Sequence, residues 1–319
     1  MRAIYYYSLI TLLLGSSIAL GDTCQNRGEL SSQFCDNDYN LVADTPLDPN
    51  EWIDPATLII TTAPNEDSMA YATELDDLFE YLESCLNRRI IYYPLQSNSA
   101  EIESMKNGRV HIASFSSGAT VAAVNEAGAV PFAAKGTVEG IKSTHMIVIV
   151  RADSDYITLA DLKGTRVAHV DKTSNTGHLL ALALLPIAGI TPGRDYQIIF
   201  SGKHDRSTLG LKSGDYDAAT IADEVLDRMA GRGNVTQQDF RILYKSGQFP
   251  SSVFSYAHNL APKLQAELVG CFFNFEFTQI MKETFSQTDQ FIPVNYEQDW
   301  KIVRDIIDIT KQQDIDTAP

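Results

Sequence analysis

The sequence predicts an α/β protein of two lobes, each a mainly parallel sheet flanked by helices, with two crossover segments between them. Three observations carry that expectation. Short β-rich runs alternate with helical repeats from residue 57 onward, the alternation restarts near residue 146, and a helical tail follows Pro250. Strands separated by helices pair in parallel, because each helix carries the chain back to the same end of the sheet. A chain of 319 residues, 44% of them apolar, is long enough to fill two such cores.

Residues 58–62, Leu-Ile-Ile-Thr-Thr, form the first predicted strand. After the turn residues Pro64 and Asn65, Leu75, Leu78, Phe79 and Leu82 recur at helical spacing within 71–86. Strand 90–93, helix 100–107 ended by Gly108, and strand 110–115 follow, and Ser116-Ser117-Gly118 opens another helix. The second lobe begins with strand 146–151, a helical turn at 159–164 and strand 165–170. Residues 171–177 then lead into a long apolar helix that Gly189 ends. Strand 196–200, helix 207–212 and strands 217–221 and 241–244 complete the lobe. Helices at 262–275 and 298–309 return the tail to the first lobe, which gives lobes of 57–143 with 252–319, and of 144–251. Crossings near Ser143 and Ser251 make a hinge of the kind that closes on a ligand.

The N-terminus predicts an export signal over residues 1–21. Arg2 supplies the positive end, residues 9–14 an apolar run, and Ala19-Leu20-Gly21 the small residues of a cleavage site near Gly21. Residues 4–20 number only 17 and are interrupted by Ser8, Thr11, Gly15, Ser16 and Ser17, too short and too polar for a spanning helix of roughly 20 apolar residues. Asp22, where a lipoprotein signal needs a small or apolar residue, argues against lipid attachment at Cys24. The exported chain therefore starts near Asp22 as a periplasmic protein with a polar, proline-containing extension over 22–56. Its four cysteines meet an oxidising compartment. Cys24 and Cys35, with ten residues between them, can close a local ring, and Cys85 and Cys271 can be bridged or simply buried; three connectivities are open.

Charge excludes one partner class. With 25 Lys and Arg against 41 Asp and Glu the net charge is −16, and no basic run exceeds Arg88-Arg89. Such a chain repels a phosphate backbone, so nucleic acid is not a partner.

Four loops at strand ends, and one strand-end carboxylate, carry the candidate site. Thr173-Ser174-Asn175-Thr176-Gly177 lies between a strand and a helix. First-turn N–H groups lack intrahelical partners and carry partial positive charge, so Ser174, Asn175 and Thr176 can bind a tetrahedral oxyanion without a basic side chain. Gly177 lets the backbone approach, although helix capping alone explains the same residue types. Ser116 and Ser117 hold the corresponding place in the first lobe, and two helix N-termini facing one cleft make an anion clamp. The loop 64–68 offers Glu66 at the same rim. In Ser201-Gly202-Lys203-His204-Asp205, His204 can donate to an oxyanion oxygen. Asp223, at the end of strand 217–221, can accept from a protonated ligand oxygen or pair with a ligand amine.

These residues, in this order and spacing, resemble the phosphonate, phosphite and hypophosphite substrate-binding proteins of ABC transporters. The likeness runs through Cys24-Gln25-Asn26-Arg27-Gly28, Gln96-Ser97-Asn98, Asn107-Gly108-Arg109-Val110-His111, Ser116-Ser117-Gly118, Ser174 to Gly177, the His204 loop and Gly214-Asp215-Tyr216-Asp217-Ala218-Ala219. It implies a type 2 periplasmic-binding-protein fold and a ligand set of Ser174, Asn175, Thr176, Ser116, Ser117, His204 and Asp223. It also implies a small reduced-phosphorus oxyanion as ligand, a membrane permease as partner, a monomeric receptor and no cofactor. Related receptors often carry Gly-Pro and Tyr at the first-lobe loop, where this chain has Ser117-Gly118 and Thr120. An apolar wall against the P–H or P–C direction would favour reduced phosphorus over phosphate, and Tyr92, Tyr93 and Phe115 are its candidates.

The alternatives are a receptor for a sulfonate or phosphate, a sensor outside transport, and a hydrolase built on Ser174 or Ser116 with His204 and Asp205. The chain has no G-x-S-x-G elbow and no H-E-x-x-H, and Ile141 between Gly140 and Lys142 breaks any P-loop. His111, His145, His169, His178 and His258 lack metal-ligand spacing, so no metal site is expected.

Overall fold

A computed structural model describes residues 24–64, 66–285 and 288–317; the predicted export signal at 1–21 and Asn65 lie outside the described residues. Two principal sheets organise the chain. The first has strand order Gln290–Pro293, Ala129–Thr137, Val253–Ala257, Ile112–Phe115, Thr57–Thr62, Arg89–Tyr92, with Gly140–Ile141 paired to Ala129–Thr137. The second has the order Phe240–Lys245, Met146–Arg151, Ala218–Ala222, Arg166–His169, Gln197–Phe200.

The α/β class stands, and the pairing is mixed within it. Three strands of each sheet run parallel: Thr57–Thr62 with Arg89–Tyr92 and Ile112–Phe115, and Arg166–His169 with Gln197–Phe200 and Ala218–Ala222. The rest pair antiparallel, including Val253–Ala257 with both its neighbours and Met146–Arg151 with both of its own. The cause is the route of the chain. Helical crossovers keep direction, whereas a strand entering from the other lobe arrives at the opposite end of the sheet.

The chain passes between the sheets twice, at Ser143–Thr144 and Phe249–Pro250, and these short strands pair antiparallel with each other. The last helix, Lys301–Thr317, belongs to both lobes and not to the first alone. Trp300 and Val303 are buried with Val121, Val124 and Val253, while Ile306 enters the cluster of Met146, Val148 and Leu180. Trp300 also donates its indole N–H to the Ser117 carbonyl at 3.0 Å, fixing the first-lobe loop from behind. The long helix expected after Gly177 is instead a π-helical turn, Asn175–Leu179, followed by Leu180–Leu184. No helix among the described residues is long and apolar enough to cross a membrane.

Both disulfides form. Cys24–Cys35 closes the extension, whose Leu30, Phe34, Val42 and Ala43 pack on the first lobe. Cys85–Cys271 joins helices Asp76–Leu86 and Pro262–Asn274 across 186 residues of sequence. Loop-closure entropy grows with the length bridged, giving about 5 kcal/mol for the long bridge and about 3 kcal/mol for the short one. Replacing Cys85 and Cys271 by Ala together is therefore expected to lower denaturant stability by about 2 kcal/mol more than replacing Cys24 and Cys35. Equal losses would contradict this account.

Candidate functional site

The buried strand Ile112–Phe115 ends at Ser116, the N-cap of helix Ser117–Ala127. Its hydroxyl does not cap the helix, and Ser116 Oγ is buried without a hydrogen-bond partner. In the second lobe, Ser174 caps the π turn conventionally, accepting from the Gly177 N–H at 3.1 Å. The Leu179 N–H donates to the Ser174 carbonyl, a bond that spans five residues and widens the turn. Both amide atoms of Asn175, Oδ1 and Nδ2, are then buried and unpartnered.

The two caps meet across the cleft. A Cβ on Gly118 would lie 2.2 Å from the Thr173 carbonyl oxygen and 2.9 Å from the Asn175 nitrogen, so only glycine permits this backbone approach. Between the caps is a small cavity with about 20 Å³ of room for the centre of a water-sized sphere. The first lobe contributes Ser116 and Ser117, the second Ser174, Asn175, Thr176, His204, Ala222 and Glu224, and the crossovers Thr144, Ser251 and Ser252.

His204 has a defined tautomer. Its Nδ1 accepts from the Ala222 backbone N–H at 3.1 Å, and a backbone N–H can only donate, so the ring proton sits on Nε2. Nε2 lies 3.5 Å from Ser174 Oγ, on the cavity side. Burial pushes the imidazole down to about 4, so at neutral pH it is an uncharged donor.

Six of the expected residues thus gather at one point: Ser116, Ser117, Ser174, Asn175, Thr176 and His204. Four do not line the cavity. Gly177 stands behind the wall, where a Cβ would meet Val170 at 2.5 Å. Asp223 turns outward to His145 at 2.8 Å, Thr144 at 3.0 Å and Lys245 at 3.1 Å. Glu66 is buried in ion pairs with Arg228 at 2.8 Å and with Arg232. Tyr93 is 46% exposed; Tyr92 bonds Thr62, and Phe115 is fully buried in the first-lobe core. The sequence reading missed Glu224, Thr144, Ala222 and the crossover serines. The signal available for Ser251 is its place at a predicted hinge, because a hinge segment borders the cleft.

Around the cavity the lobes are latched by charge. Glu66 and Glu74 of the first lobe pair with Arg228 and Arg232 of the second, and Lys203 Nζ donates to the Glu66 carbonyl at 3.2 Å. Asn98 Nδ2 reaches Thr173 Oγ1 at 2.9 Å. A wider groove of about 280 Å³ runs between the N-terminal extension and the last helix. Its cations are already engaged: Arg27 and Arg304 donate to carbonyls, Lys301 pairs with Asp305 and Lys311 with Asp308. Among the described residues no cluster of three or more His, Cys, Asp or Glu can hold a metal.

A family model for the periplasmic substrate-binding protein of phosphonate ABC transporters matches residues 60–300. The chain belongs to this family. Its members are substrate-binding components of transporters that work in the periplasm. The phosphate-import protein PhnD of Mycolicibacterium smegmatis is 30% identical over 224 residues, 66% of this chain and 69% of that protein. Among solved structures, a binding-protein component of an ABC phosphonate transporter from Pseudomonas aeruginosa superposes with a TM-score of 0.75 at 17% identity, covering 83% of this chain and 90% of the other. PhnD1 of Prochlorococcus marinus in complex with methylphosphonate gives 0.71 at 15% identity, covering 82% and 99%. At such identities these two structures show the shared fold alone.

Two predictions follow from the geometry. The unpartnered Asn175 amide carries a desolvation cost without a bond, so Asn175→Leu should leave the unliganded chain as stable or more stable. The same change should cost about 1.5–3 kcal/mol of ligand affinity, the worth of a hydrogen bond to a charged group. Paired calorimetry and denaturation check both signs; a destabilised variant with wild-type affinity would contradict them. Arg228→Ala breaks the buried part of the latch, where losing one partner costs roughly 3–5 kcal/mol, less whatever Arg232 restores to Glu66. Small-angle scattering should show a more extended unliganded particle than wild type, and an unchanged profile would contradict the latch.

Proposed function

We propose that this chain is the receptor of an ABC importer that captures one small phosphorus oxyanion between its lobes and presents it, as a monomer, to the membrane permease. The observation that carries the reading is the cavity itself, with Ser116 Oγ and the Asn175 amide buried and unpartnered between two helix N-termini. Unpaired buried donors are costly, and an anion at this point would satisfy the Ser116 hydroxyl and the Asn175 Nδ2 together with the His204 Nε2–H. Export ahead of Asp22 fits the same role.

Size narrows the ligand. The cavity is small, with about 20 Å³ in which a water-sized sphere can be centred, which favours a compact tetrahedral group over an aminoalkyl chain. Ala222 is the apolar member of the lining, taking the place expected of Tyr92, Tyr93 or Phe115. A P–H bond facing Ala222 leaves no polar group unpaired, which puts phosphite ahead of phosphate on this reading.

Hydrolysis is disfavoured by the tautomer of His204. A serine nucleophile needs an imidazole whose free nitrogen faces it and whose other N–H is held by a carboxylate. Here the nitrogen facing Ser174 carries the proton and the other accepts a backbone N–H, so His204 cannot take the serine proton.

The test is calorimetry of the exported chain with phosphite, phosphate, methylphosphonate and 2-aminoethylphosphonate. Phosphite is expected to bind tightest, and 2-aminoethylphosphonate at least about tenfold weaker, a difference of about 1.4 kcal/mol. Equal binding of the aminoalkyl ligand would overturn the size argument, and no binding of any phosphorus anion would overturn the receptor reading.

A further inference from the structure

We propose that Glu224 reads the protonation of the bound oxyanion, accepting a hydrogen bond from a ligand O–H and rejecting oxyanions that carry none. This rests on the receptor reading above and narrows its ligand class. Glu224 stands in the first turn of helix Asp223–Gly231, lines the cavity, and its side chain is 12% exposed. Ser251 Oγ donates to Oε1 at 2.6 Å, while Arg228 and Lys142 lie 3.5 Å and 3.8 Å from Oε2. A carboxylate oxygen accepts two hydrogen bonds, so Oε1 keeps one acceptor direction beyond Ser251.

The other functional walls are mainly donors, the His204 Nε2–H, the Asn175 Nδ2 and the helix-end N–H groups, and the acceptors beside them, Asn175 Oδ1 and the hydroxyls, are neutral. One carboxylate among them is a fixed acceptor in a donor-lined cavity. Burial works to protonate it, but Arg228, Lys142, the Ser251 hydroxyl and Lys135 together outweigh that and hold it below the usual carboxylate range. A bare oxyanion oxygen beside it meets a like charge away from water, whereas a ligand O–H makes a short charge-assisted hydrogen bond. Either way one proton must lie between the two oxygens.

The consequence is chemical selection within one size class. Phosphite monoanion and both phosphate species near neutral pH carry an O–H; sulfate and hypophosphite carry none. Phosphite affinity should therefore fall as pH rises through that ligand's second ionisation. The groups facing Glu224 are Arg228, Lys142, Lys135, His204 and Tyr71. His204 titrates at about 4 and stays neutral from pH 5.5 to 7.5, while Lys135, at about 8, has only begun to lose its proton at the upper end of that window.

Calorimetry of the wild-type chain and of Glu224→Gln, with phosphite, phosphate, sulfate and hypophosphite at pH 5.5 and 7.5, tests this. Wild type is expected to bind phosphite several-fold tighter at pH 5.5 than at 7.5, and sulfate and hypophosphite at least 100-fold more weakly than phosphite at pH 5.5. Glu224→Gln should shrink the phosphite-to-sulfate ratio at least tenfold and flatten the pH dependence. Sulfate or hypophosphite binding as tightly as phosphite to wild type, or an unchanged ratio in Glu224→Gln, overturns the proposal while leaving the receptor reading intact. Failure of every phosphorus anion to bind wild type overturns both. Glu224 also pairs with Lys142 and Arg228, so if the variant does not fold, the wild-type pH and sulfate comparisons decide alone.

Discussion

The close backbone approach of Gly118 to Thr173 and Asn175 is the contact on which the site depends. It sets two helix N-termini face to face from different lobes, and each end brings N–H groups that its own helix cannot satisfy. Electrostatics alone would drive two such positive ends apart. They are held together by elements that lie elsewhere: the Glu66–Arg228–Arg232–Glu74 latch on one side and the last helix, shared between both cores, on the other. An anion between the ends removes the conflict. On the proposed reading recognition and closure are one event, because the groups proposed to bind the ligand are those that oppose closure without it.

This explains how a chain of net charge −16 can bind an anion. The site uses neutral donors at short range: hydroxyls, an amide, an uncharged imidazole and helix-end N–H groups. The cations nearby are engaged with the protein, Arg228 with Glu66 and Glu224, Lys142 with Glu224, Lys135 with the Tyr71 and Ser252 hydroxyls and Lys203 with the Glu66 carbonyl. Net charge beyond roughly 8 Å is screened in physiological salt, so the acidic surface has little say in the cavity.

Much of this was legible in the sequence where local chemistry and tertiary role agree. Val110 to Phe115 is β-rich and Ser116 and Ser174 are good caps, so both halves of the clamp show as strand, polar residue, helix. Strand Ala129–Thr137 was not legible: Ala, Gly and Pro are poor strand formers, and it pairs because neighbours flank it on both sides. The exchange of Asp223 for Glu224 has a similar cause. Every residue of Ala218–Ala222 is buried, so the strand lacks the alternation that would show which face meets the cleft, and one residue further on the chain is already helical. The π turn at Asn175–Leu179 leaves no trace in composition, yet it begins at the residue whose amide is buried and unpartnered.

The central claim is positional: the oxyanion sits between the two caps and bridges the lobes. A crystal structure of the exported chain grown with phosphite tests it most directly. The account predicts phosphorus density within hydrogen-bond reach of Ser116 Oγ, Asn175 Nδ2 and His204 Nε2 at once, with Gly118 still against Thr173. Density held by one lobe alone, or seated in the groove beside Tyr296 and Arg304, would contradict it.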